Sequence, residues 1–128
     1  MCGISGEIRF DGREVDVGAL ARMNRCLAPR GPDGQGLMAW DRLGVGHRRL
    51  KIMDLSDAAQ QPMLDPELGL GIVFNGAIYN HPELRQQLEG MGYRFRSSGD
   101  TEVLLKAFHA WGADFVQRLN GMFAFALW

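Results

Sequence analysis

A chain of 128 residues with 46% hydrophobic and 23% charged residues has the length and composition of one folded domain around one core, not of a disordered tail. Its 14 basic and 15 acidic residues are scattered and leave a net charge of -1, which excludes the broad basic field that nucleic acid or an anionic membrane surface requires. The longest apolar runs, residues 69–74 and 122–128, fall far short of the roughly 20 residues that cross a bilayer. The N-terminus also lacks the charged-then-apolar layout of a secretory leader, so a cytoplasmic protein is expected. Two cysteines, Cys2 and Cys26, make neither a disulfide framework nor a zinc-ligand spacing.

In chain order, residues 1–10 mix β-branched, aromatic and small residues and stop at Asp11-Gly12, which predicts a strand held in a sheet from the start. Asp16 is placed to cap a helix carrying Val17, Leu20, Ala21 and Leu27 at helical spacing, ending before Pro29; Cys26 rides on it and is expected to pack as a small buried residue. Strands over 36–40 and 43–50 flank a turn at Asp41-Arg42, and a polar loop covers 56–66. A buried strand over 68–74 ends at Asn75-Gly76, and Pro82 opens a helix with Leu84, Leu88 and Met91 on one face, closed by Gly92. A strand over 93–97 leads to Asp100, a candidate cap for a helix presenting Val103, Leu104, Ala107, Phe108 and Trp111. The last run, 122–128, reads as a strand buried on both faces. Such a strand with nothing after it leaves an edge uncovered, so a truncated domain is expected, completed by further chain or by a homodimer joined through 122–128.

A thiol is a good nucleophile only when it can shed its proton, and Cys2 becomes the first residue if Met1 is removed. Its own α-amino group, titrating at roughly 7.7 to 8.0, is then the nearest base. By itself a cysteine behind the initiator methionine is more simply structural. The other candidates have ordinary readings too: Arg48, Arg49 and Lys51 as a solvated basic edge, Asn75-Gly76 as a turn, Asp100 as a helix cap, and Arg30 and Asp33 as loop-shaping residues. His47, His81 and His109 lie far apart without partner acids, so none is read as a metal ligand or catalytic base. Phe108, Trp111, Phe115, Phe123 and Phe125 are most simply core.

Six blocks change the weighing. Residues 1–6 (MCGISG), 30–34 (RGPDG), 46–52 (GHRRLKI), 75–81 (NGAIYNH), 99–103 (GDTEV) and 120–125 (NGMFAF) together resemble the class II glutamine amidotransferases, in order and spacing across nearly the whole chain. Their wording is similar to the asparagine synthetase branch, including its N-acetylglutaminylglutamine amidotransferase relatives. The resemblance implies an α+β fold, the four-layer α/β/β/α sandwich of the N-terminal-nucleophile hydrolases, with two antiparallel sheets between helices. Residues 1–128 would then be an incomplete glutaminase domain without its synthetase domain.

By the same resemblance, Cys2 attacks the side-chain amide of L-glutamine to give a thioester and ammonia, and water then releases glutamate. The Asn75 side-chain amide and the Gly76 backbone N–H hold the oxyanion. Arg49 takes the α-carboxylate, Asp100 the α-ammonium, and backbone groups at Leu50 and Ile52 assist. The ammonia would serve an ATP-dependent amidation in the synthetase domain. No cofactor is expected in these residues, which contain no phosphate-cradling loop; ATP and magnesium belong to the missing part. Where the family commonly carries a glutamate that helps hold the substrate amino group, this chain has Ala77, which predicts weaker glutamine binding with the chemistry retained. The alternative is a non-catalytic amino-acid-binding or interaction module that keeps the fold.

Overall fold

A computed structural model describes residues 1–128. Strand β1 (Gly3–Ile8) leads to helix α1 (Val17–Cys26), where the Asp16 carboxylate accepts from Ala19 N at 2.9 Å and so satisfies one of the orphan amides of the first turn. Strands β2 (Gly34–Trp40) and β3 (Leu43–Arg49) form a hairpin whose turn takes Asp41 at φ 44°, and β3 lies between β1 and β2, antiparallel to both. The second sheet is β4 (Met63–Asp65), β5 (Leu70–Ile78) and β6 (Gly121–Leu127), also antiparallel, with β5 in the middle. Helices α2 (His81–Gly90) and α3 (Asp100–Trp111) follow β5, and a short 3-10 segment (Gly112–Arg118) leads into β6.

Helix α1 covers the first sheet, α2 and α3 cover the second, and the sheets face each other through β1, β3 and β5. This is the expected four-layer order. The principal core lies between the second sheet and its helices: Ile72, Phe74 and Ile78 from β5, Leu84 and Leu88 from α2, and Val103, Leu104, Leu105 and Ala107 from α3, with Phe115.

Several local expectations need correction. On α1 the inward line is Leu20 and Asn24, one turn apart; Val17 is exposed, and Cys26, two residues past Asn24 and therefore on the opposite side, is exposed rather than buried. Met91 falls at the end of α2 and is exposed. The region read as a loop over 56–66 contains β4. Asn75-Gly76 does not end β5, which runs on to Ile78 because β6 pairs with it residue by residue, Asn75 opposite Ala124 and Gly76 opposite Phe123. A Cβ on Gly76 would run into the Met122 carbonyl, so this glycine is required by the close approach of β6 rather than by a turn.

The strand expected over 93–97 is absent. Tyr93 and Phe95 alternate because both pack against the core, but the backbone amides of Arg96 and Ser97 go to the Glu102 carboxylate at 2.8 to 3.1 Å, not to a neighbouring strand. Asp100 is not the cap of α3; Gly99 is, and Asp100 stands in the first turn. Finally, β6 is an edge strand with one wet face. Phe125 and Leu127 turn to the core, while Met122, Ala124 and Ala126 on the other face are exposed; Phe123 stacks on Phe125 at the less covered end of the core-facing side.

Candidate active site

The first residues of β1 begin beside the end of β3, and this places Cys2 against the residue that follows Arg49. Leu50 N donates to Cys2 Sγ at 3.3 Å, and the thiol lies 3.7 Å from Leu50 O. Arg30 Nε donates to the Cys2 carbonyl at 3.2 Å, while Asp33 holds Lys51 N at 2.9 Å and gives its own N–H to Arg49 O. The 30–34 loop therefore fastens both sides of the thiol: the Cys2 backbone and the Arg49-Leu50-Lys51 segment. Arg48 and Arg49 diverge, as neighbours on a strand must. Arg48 bonds the Asn24 carbonyl of α1, and Arg49, 4% exposed, bonds the carbonyls of Asp54 and Ser56.

Beyond the end of β4, one edge of β5 has no strand beside it, and its outward groups are taken one by one. Phe74 N donates to Gln61 Oε1 at 2.6 Å, the Phe74 carbonyl meets His47 Nε2 at 3.1 Å, and Ile78 N donates to Asp100 Oδ2 at 2.9 Å. Amides alternate from edge to edge along an antiparallel strand, so the Gly76 N–H points to the same side as those of Phe74 and Ile78, away from β6. Between two amides closed by side chains, Gly76 offers an open one. Next to it, Asn75 lines the same cleft, and its Oδ1 is buried without a partner.

These groups share one cleft of about 160 Å³. Cys2, Asn75, Gly76, Arg49, Leu50, Ile52 and Asp100 all line it. The structure thus brings together all seven residues to which the resemblance gives a catalytic or substrate-binding role, from four separate segments. It adds Met53, Asp54, Gln61, Gly99 and Thr101, which sequence reasoning missed. The bonds that tie Gln61 to Thr101 and Asp54 to Ser98 reach across some 40 positions, and nothing local announces them; Gly99 and Thr101 stand in the 99–103 block, where only Asp100 was given a role.

Charges in the cleft are set by burial and by hydrogen bonds. Burial pushes the Asp100 carboxyl above the usual carboxylate range, against the Ile78 amide and the neighbouring His81. For Asp54 burial acts in the same direction, but bonds from Ser56 and Ser98 outweigh it and hold the carboxyl well below that range. His47 is fully buried between the sheets; burial lowers it to about 4, with Arg49 adding to the effect and the Phe74 carbonyl opposing it. An unfolded histidine takes a proton below about 6.5, while the folded one refuses it until about 4, so stability is lost as pH falls through that window, on the order of 3 kcal/mol. Urea unfolding at pH 7 and 4.5 is expected to show a larger loss for the wild type than for His47→Gln; parallel profiles would contradict this.

The glutamine amidotransferase domain family matches residues 1–128. Asparagine synthetase 3 of Bacillus subtilis is 38% identical over all of this chain and 21% of its own length. A putative asparagine synthetase 2 of Methanocaldococcus jannaschii is 39% identical over 99% of this chain and 27% of its own length, and asparagine synthetase B of Escherichia coli is 38% identical over all of this chain and 23% of its own length. The chain therefore spans only about a quarter of the relatives it matches, or less. Among solved structures, the glutamine phosphoribosylpyrophosphate amidotransferase of B. subtilis superposes with a TM-score of 0.81 over the whole chain and 35% of that protein, at 21% identity, a likeness of fold. This chain belongs to the class II glutamine amidotransferase domain family and has its N-terminal-nucleophile hydrolase fold.

Proposed function

We propose that this chain hydrolyses L-glutamine to L-glutamate and ammonia with Cys2 as the nucleophile. The ammonia serves an ATP-dependent amidation in the synthetase portion of a longer, asparagine-synthetase-type protein. What carries the reading is the placement of the Cys2 thiol in the cleft that holds the open Gly76 amide, the Asn75 amide, buried Arg49 and Asp100.

Removal of Met1 frees the Cys2 amine. As Sγ attacks the amide carbon, that amine takes the thiol proton, directly or through one water, and the Leu50 N–H steadies the thiolate. The carbonyl oxygen becomes an oxyanion held by Asn75 Nδ2 and Gly76 N–H, the second already fixed in direction by β5 and so needing no reorganisation. Collapse breaks the C–N bond, the ammonium of Cys2 returns its proton to the leaving nitrogen, and ammonia departs. Water, with the same amine as base, attacks the thioester; the C–S bond breaks and glutamate leaves.

Arg49 keeps three N–H donors after serving Asp54 and Ser56, enough for a two-pronged bond to the α-carboxylate. The Asp100 oxygen not used by Ile78 N takes the α-ammonium. Leu50 and Ile52 contribute backbone contacts. No cofactor takes part in this half-reaction; ATP and magnesium act in the synthetase portion. That portion, or a second copy of this chain, seats on the edge strand β6, where Met122 is 63% exposed. No helix is long and apolar enough to cross a membrane and the net charge is -1, which fits a cytoplasmic enzyme without a nucleic-acid partner.

Release of equal amounts of glutamate and ammonia from glutamine tests the proposal. Saturable glutamine binding without ammonia would instead favour the non-catalytic module, the reading that Ala77 motivates. Ala77 lies beside Gly76 in the cleft and supplies no charge to the substrate amino group. Ala77→Glu is expected to lower KM for glutamine roughly ten-fold or more, the effect of one charge-assisted hydrogen bond, with kcat little changed. An unchanged KM in steady-state assays would show that another group already fills the role.

A further inference from the structure

Asp54 is buried at 7% exposure and touches the two halves of the substrate cleft at once. Its Oδ1 accepts from Ser56 N at 2.8 Å, which closes the loop on itself. The carbonyls of this same loop, at Asp54 and Ser56, are the partners of the Arg49 guanidinium. Its Oδ2 accepts from Ser98 N at 2.8 Å and from Ser98 Oγ at 3.0 Å, two residues before Asp100. Gly99 allows the approach, since a Cβ there would stand 3.3 Å from Asp54 Cβ.

The 96–99 turn is immobilised from its other sides as well. Glu102 takes the amides of Arg96 and Ser97 and is itself paired with buried Lys106 at 2.6 Å, and Arg85 donates to the carbonyls of Ser97 and Gly99. Asp54 is thus the one carboxylate that connects a rigid turn ahead of Asp100 to the loop that aims Arg49. The hydrogen bonds that keep it ionised despite burial make it a firm tie.

We infer that Asp54 is a positioning residue for the amino-acid end of the substrate, fixing the separation of Arg49 and Asp100 so that both ends of an α-amino acid are read together. This rests on the glutaminase reading above. The tie acts on recognition and leaves the thiol and its oxyanion donors untouched, because no bond of Asp54 runs to Cys2, Asn75 or Gly76. The site then selects for an amide bearing both charges at its far end, and it does so through a residue that need not touch the substrate.

The test is steady-state glutaminase kinetics on the processed protein, wild type against Asp54→Asn and Ser98→Ala. For Asp54→Asn, KM for glutamine is expected to rise roughly ten-fold or more, with kcat and the rate of Cys2 alkylation by iodoacetamide within about three-fold of wild type. Preference for glutamine over glutaramate, the same amide without its amino group, should fall with it. Ser98→Ala removes only the hydroxyl contact and should raise KM by about two- to five-fold, with no further increase when added to Asp54→Asn. An unchanged KM in Asp54→Asn, or a parallel fall of kcat and alkylation rate, overturns the inference. If Asp54→Asn does not fold, the Ser98→Ala KM decides. A wild type that binds glutamine without hydrolysing it fails the glutaminase reading alone, and calorimetric Kd then replaces KM in the same comparison. A wild type that does neither overturns both.

Discussion

Replacing Cys2 with alanine is expected to lower glutamine hydrolysis by at least roughly 10⁴-fold while leaving the fold in place. The same atom attacks, carries the acyl group and leaves, and no other thiol is near: Cys26 lies on the exposed side of α1. The structural cost is small, since Sγ is only half-buried and serves the scaffold as the acceptor for one amide, Leu50 N, a loss of about 1 kcal/mol. Circular dichroism and a thermal melt of Cys2→Ala should therefore resemble those of the wild type, and glutamine should still bind to it. A variant that retained more than a few per cent of the hydrolysis rate would remove Cys2 from the mechanism.

The second large effect is expected at Asn75. Asn75→Ala removes one of the two proposed oxyanion donors and should reduce kcat roughly 10²- to 10³-fold, with little change in KM because the donor is needed most when charge develops on the oxygen. The position favours a clean result. Asn75 sits in the middle of β5, opposite Ala124, and its Oδ1 has no partner in the protein, so truncation breaks no scaffold bond. A rise in KM with unchanged kcat would instead make Asn75 a substrate-binding residue, and the oxyanion would need another donor.

The helices were legible in the sequence because each depends on a local pattern, whereas the order of the layers was implied by the family resemblance. The Asp16 cap, the Pro82 start and the apolar spacing of α3 are all properties of neighbouring residues. Failures arose where a distant partner decided the outcome. Asn75-Gly76 has the composition of a turn, yet β6, some 45 positions later, draws it into a ladder. Residues 93–97 alternate like a strand, yet Glu102 takes the amides that would have formed one. Phe123 looks like core and does share the core-facing side of β6 with Phe125, on which it stacks, yet it is 38% exposed, since the pattern within 122–128 does not reveal how far the helices cover that strand.

The site divides the same way. Its seven candidates sit in short blocks whose wording carried the family likeness, and the cleft collects all of them. Asp54, Gln61 and Ser98 carried no such signal. Each is an ordinary polar residue in a loop; Asp54 and Gln61 acquire a role only when folding brings them against the backbone amides of Ser98 and Phe74, and Ser98 only when it meets the Asp54 carboxylate.

The central claim, that Cys2 is a processed N-terminal nucleophile in a glutamine site, is tested most directly by intact-mass spectrometry before and after exposure to a diazo-ketone analogue of glutamine. The account predicts a starting mass lacking methionine, then a single adduct located on Cys2 and prevented by excess glutamine. A folded, processed chain whose Cys2 stays unlabelled would contradict it.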